Sequence, residues 1–194
     1  MAGKIAGNVP EFLGRAYKLC LRHKMAVIIA FAILLLTIIF TSEMRKIVSI
    51  LLLATAGAFG QVYRRSIRIP PAVEFVTFGT VLVGYSYGPW AGAIFGIVVT
   101  LIAEIMSSTI DAFVIGYVPS RAAIGIISSF LTGHGIASVG IWMTIAYNVL
   151  AQPLYLLQPD AELRLKLVFF VTGNIIFNIM LFKLLAEPVL FLMG

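Results

Sequence analysis

The stretch from Tyr87 to Ser108, YGPWAGAIFGIVVTLIAEIMSS, is almost purely apolar, with small residues at four-residue spacing and one acid near its end. Small residues allow helices to approach closely in a bilayer, where lipid provides no hydrophobic drive for association. An acid inside such a helix is costly and is therefore a functional candidate. The stretch predicts a membrane helix, close packing through Gly88, Gly92 and Gly96, and a buried polar site at Glu104.

The composition of the whole chain also indicates a membrane protein. Of its 194 residues, 61% are hydrophobic and only 11% are charged, whereas soluble domains carry roughly 25% charged residues. The net charge of +6 comes from basic residues near predicted helix ends, which is typical of the positive-inside bias and not of a nucleic-acid surface. Cys20 is the only cysteine, so no intramolecular disulfide is expected. We therefore predict an all-α integral membrane protein.

The hydrophobic segments divide the chain into two predicted parts. Residues 1–43 contain an amphipathic segment at 9–24, which predicts a helix on the membrane surface, and the apolar run Met25–Phe40, which predicts an extra hydrophobic helix. Residues 44–194 form a predicted six-helix membrane domain. Its expected spans lie at 47–63, 74–85, 89–107, 120–131, 137–157 and 163–182.

Polar residues recur inside these predicted spans, and we expect them to form a substrate-binding site. The set comprises Glu74, Glu104, Arg121, Asn148, Gln152, Asn174 and Asn178. Because adjacent helices alternate in direction, most of these residues are expected near one side of the membrane, where charge-assisted hydrogen bonds would hold a small polar molecule. The alternative is structural: Glu104 and Arg121 neutralise each other, and the amides link helices. We favour the structural interpretation for any single residue and the binding site for the collection.

Three segments and a late acid follow an order that resembles a transporter family. They are MRKIVSILLLATAGAFG (44–60), RIPPAVEF (68–75), VTFGTVLVGYSYGPWAGAIFG (76–96) and Glu104. This order is similar to that of the S component of energy-coupling factor (ECF) transporters. These membrane subunits capture vitamins, vitamin precursors or metal ions for a shared module of one transmembrane subunit and two ATPases.

The resemblance implies an S-component-like bundle that crosses the plasma membrane of a prokaryote several times and captures a small polar molecule. It implies ligand contacts from the first loop and the last three helices, at 64–74, Arg121, Asn148, Gln152, Asn174 and Asn178. Ala54 and Ala58 match the AxxxA spacing of the family's first helix, which implies docking on the transmembrane coupling subunit. A metal substrate is disfavoured because the histidine motif of the metal-transporting members is absent. No cofactor is expected.

Two other functions and the membrane orientation remain open at this point. A glycine-rich helix that ends in an acid also occurs in MreD-type scaffolds of the bacterial cell-shape machinery, whose partners would be membrane proteins and which would bind no ligand. An enzyme is disfavoured because His134 lies in a glycine turn away from Glu104 and Asp111 and no nucleophile–base spacing is visible. If the N-terminus is cytoplasmic and all seven segments span, the basic loop 64–71 is cytoplasmic, which satisfies the positive-inside rule, whereas the family has this loop outside.

Overall fold

The computed structural model describes residues 28–29, 32–34, 42–62, 73–108, 112–156 and 161–194. The chain divides into two compact units, Met1–Met44 and Arg45–Gly194. The predicted surface helix at 9–24 lies outside the described residues. Within the predicted extra helix at 25–40, residues 28–29 and 32–34 are described, and they are helical.

The described residues form helices and contain no strand, which confirms the prediction of an all-helical chain for this part of the sequence. Two helical segments, Pro89–Ser107 and Leu167–Met193, are long and apolar enough to cross a membrane. The helices are α1 (Ser42–Phe59), α2 (Val76–Tyr87), α3 (Pro89–Ser107), α4 (Val114–Ser129), α5 (Ile136–Ala151), the single turn α6 (Pro153–Leu156) and α7 (Ala161–Met193).

Prolines mark helix boundaries less strictly than the sequence predicted. The span predicted at 120–131 would have Pro119 at its start, but α4 begins at Val114 and contains Pro119. Pro188 was expected beyond the last span, but it lies inside α7, which continues to Met193. A proline removes one backbone hydrogen bond, and a helix supported by packing on its neighbours tolerates that loss. Pro89 and Pro153 do mark boundaries, since α2 stops at Tyr87 and α5 stops at Ala151.

Four glycines bring α2, α3 and α4 into direct backbone contact. A Cβ on Gly84 of α2 would lie 2.2 Å from the carbonyl oxygen of Gly125 on α4, and a Cβ on Gly92 of α3 would lie 2.6 Å from the same oxygen. One turn further along α3, a Cβ on Gly96 would lie 3.0 Å from the carbonyl oxygen of Arg121. The glycines therefore set the close approach that carries Arg121 to the first turn of α2.

A second close contact joins α5 to α7. The ring of Phe182 lies directly over Gly140, where a Cβ would be 2.1 Å from a ring carbon. Phe182 is completely buried, and its ring centroid lies 5.0 Å from that of Phe78 on α2. This contact holds the two helices together on the side of α2 that also carries the polar residues described below.

The distribution of side chains is unusual for a protein in water. Large apolar side chains lie on the outside, including Trp90 (75% exposed), Ile115 (78%) and Phe191 (83%). Charged and amide side chains lie inside, with Glu74 at 3% and Asn174 at 0% exposure. In water the opposite arrangement is more stable, because burial lowers the free energy of apolar groups and raises that of polar groups.

Candidate functional site

Glu74 lies at the start of α2 and accepts hydrogen bonds from five donors. The backbone N–H groups of Val76 and Thr77 donate to Oε2 at 3.0 and 3.1 Å, and Arg121 Nη2 donates to the same oxygen at 3.0 Å. The Thr77 hydroxyl and Asn174 Nδ2 donate to Oε1, the latter at 3.4 Å. A carboxylate offers about four lone-pair sites. The five donors from the chain therefore saturate the carboxylate of Glu74.

Arg121 extends from α4 into the core and forms a buried ion pair with Glu74, each side chain being 4% exposed. Its Nη1 donates to the Thr77 hydroxyl, and its guanidinium carbon lies 3.6 Å from the centroid of the Tyr147 ring on α5. The structural alternative paired Arg121 with Glu104, and the structure corrects this. The carboxylate in contact is that of Glu74, because α2 and α4 approach so closely at their glycines.

Three asparagines on α5 and α7 extend the network away from the ion pair. Asn148 Nδ2 donates to the Thr144 carbonyl at 2.8 Å and to Asn174 Oδ1 at 3.0 Å. Asn178 Nδ2 donates to the Asn174 carbonyl at 3.0 Å. Asn174 is therefore the central residue, since its own amide also reaches Glu74.

Three buried atoms of this network have no hydrogen-bond partner among the described residues. They are Arg121 Nε, Asn148 Oδ1 and Asn178 Oδ1. An unsatisfied buried polar atom costs about 1–3 kcal/mol, and such atoms in native proteins commonly mark a place that a water molecule, an ion or a ligand occupies. A group that binds to these atoms would have to supply one acceptor, for Arg121 Nε, and two donors, for the Oδ1 atoms of Asn148 and Asn178.

The other two predicted site residues, Glu104 and Gln152, are each 8% exposed. They belong to the buried polar set, but the hydrogen bonds of the network described above do not involve their side chains. The hydrogen bonds described above join five of the seven predicted residues into one connected network, in which Glu74 accepts five of them.

Sequence reasoning missed Thr77 and Tyr147. Thr77 follows Glu74 by three residues, which is the spacing at which side chains at a helix N-terminus reach each other and the free backbone N–H groups. That spacing could have identified Thr77. Tyr147 contacts Arg121 from a different helix, and no sequence interval indicates such a contact.

The predicted packing residues occupy different kinds of positions. Gly92 and Gly96 lie against the backbone of α4, as described above. Gly88 differs from the prediction: its φ is 97° and a Cβ there would have nothing within 4 Å, so it shapes the turn between α2 and α3. On α1, Ala58 is 5% exposed and Ala54 is partly buried; their docking on a coupling subunit stays a prediction.

No family model, no curated protein and no solved structure matches this chain.

Proposed function

We propose that this chain is a multi-pass protein of the plasma membrane of a prokaryote. The supporting observation is that many large apolar side chains are exposed while an ion pair and several amides are buried. Trp90 and Phe191 are exposed and the Glu74–Arg121 ion pair is buried. A bilayer stabilises this arrangement of side chains, and water does not. The lengths of α3 and of residues 167–193 suit a span, because about 20 apolar residues cross the hydrocarbon core.

Within the membrane, we propose that the chain is the substrate-capturing subunit of an ECF-type transporter for a small polar molecule such as a vitamin or precursor. The observation that carries this proposal is the set of three unsatisfied polar atoms on Arg121, Asn148 and Asn178. A purely structural core would satisfy its polar atoms internally, whereas a binding site keeps capacity for its guest. The partners would be a transmembrane coupling subunit and two ATPases, as the resemblance implies.

A second candidate is an MreD-like scaffold without a ligand, and one observation favours it. The carboxylate of Glu74 is saturated by five donors, which is the expected state of a structural ion pair. In that case the network stabilises the bundle, and the functional surfaces are the apolar faces that contact other membrane proteins.

Mass spectrometry of small molecules released from the purified chain distinguishes the two candidates. We expect the wild-type protein to retain a small polar molecule near one equivalent, and Asn148→Leu to lose most of it. Met180→Leu is the matched control, because Met180 is 56% exposed on α7 and lies outside the network. An empty wild-type protein that co-purifies with wall-synthesis proteins would instead favour the scaffold.

A further inference from the structure

The charges at the candidate site are already balanced by the chain. The Glu74 carboxylate has five donors, and the strongest is the guanidinium of Arg121 at 3.0 Å. The guanidinium is also covered on one face by the Tyr147 ring. A charged guest would therefore have to break a buried ion pair or remain uncompensated itself, and both are costly away from water.

The open hydrogen-bonding capacity defines what a guest must present. Arg121 Nε is a donor and needs an acceptor, whereas the Oδ1 atoms of Asn148 and Asn178 are acceptors and need donors. The orientation of the Asn148 amide is fixed, because both of its N–H groups already donate, to Thr144 and Asn174. All three open atoms belong to side chains within two hydrogen bonds of Asn174.

We propose that this site takes a neutral molecule with an amide, ureide or lactam edge, which presents two N–H donors beside one carbonyl acceptor. The proposal rests on the substrate-capturing function above and specifies its substrate class. An anion would lie against the two amide oxygens and a cation would lie against the guanidinium of Arg121, and both contacts are repulsive. The three atoms are buried, so the guest reaches them only when the helices that carry them move apart.

Three probes of matched size test the class: benzamide, benzoate and benzylammonium. Each is titrated at millimolar concentration into the full-length chain in detergent, and binding is followed by ligand-observed NMR. We expect benzamide to bind most tightly and Asn178→Leu to weaken it about fivefold, because one net hydrogen bond is lost. Met180→Leu, on the exposed side of the same helix, should leave the affinity unchanged.

Three results would overturn the inference. They are tighter binding of either charged probe, an unaltered affinity of Asn178→Leu for benzamide, and no binding by any probe. The function proposed above fails separately. If the probes fail while mass spectrometry still finds a retained molecule, the substrate class is wrong and the capture function stands. If neither experiment finds a bound molecule, both are wrong.

Discussion

Removing Arg121 and removing Glu74 from their ion pair should lower the free energy of unfolding by different amounts. In Arg121→Met, the remaining carboxylate keeps four donors, from the two backbone N–H groups, the Thr77 hydroxyl and Asn174. In Glu74→Leu, the remaining guanidinium keeps, among the described residues, the Thr77 hydroxyl and the contact with Tyr147. The first turn of α2 also loses the carboxylate that accepts from its backbone N–H groups.

Breaking a buried pair costs about 3–5 kcal/mol, and loss of a helix cap costs about 1 kcal/mol. We therefore expect Arg121→Met to lower the free energy of unfolding by about 3 kcal/mol and Glu74→Leu by about 5 kcal/mol. The double variant leaves no unpaired charge, so its loss should be well below the sum, at about 2 kcal/mol.

The assay is unfolding of the detergent-solubilised chain by SDS, followed by helical circular dichroism. Met180→Leu provides the control for an apolar exchange on the outside of the bundle. The reasoning is refuted if Arg121→Met destabilises as much as Glu74→Leu does, or if the double variant equals the sum of the two single variants.

Three further predictions concern single contacts. Gly140→Ala places a Cβ 2.1 Å from the Phe182 ring and should cost about 2–3 kcal/mol in SDS unfolding, with partial recovery when Phe182→Leu is added. Gly133→Ala, with nothing within 4 Å of the new Cβ, should change stability by less than about 0.5 kcal/mol. Gly88→Ala should cost about 1–3 kcal/mol, because a φ of 97° and a ψ of 174° lie in a region that only glycine populates readily. Gly88→Asn should cost about as much, and a clearly higher thermal midpoint for the Asn variant than for the Ala variant would contradict this. Tyr147→Leu should cost about 2 kcal/mol more than Tyr147→Phe, which keeps the aromatic face above the guanidinium; the same loss in both variants would exclude that contact.

The bounds of α3 were predictable because local signals fix both ends. Pro89 suits the first helical turn and coincides with the start of the helix, while the helix ends before Ser108, whose φ of 56° terminates it. The connected network was also largely predictable, since alternating helix direction places the starts of α2 and α4 near the end of α5. Five of the predicted polar residues meet there.

The partner of Arg121 was not predictable from the sequence. Glu74 and Glu104 were expected on the same side of the membrane, and the choice between them depends on which helices touch. That choice is made by Gly84 and Gly125, whose backbones meet, and such a long-range contact leaves no periodic signal.

The order of synthesis gives the Glu74–Arg121 contact a consequence for biogenesis. At about 1.5 Å per residue, the 12 residues of α2 extend roughly 18 Å, which is shorter than the roughly 30 Å hydrocarbon core. The acid also leaves the ribosome 47 residues before its base, a delay of roughly 2–10 s at ordinary elongation rates. During that interval the acid of α2 lacks its base. On the membrane location proposed above, α2 should therefore enter the bilayer late, as a hairpin with α3, once α4 has emerged.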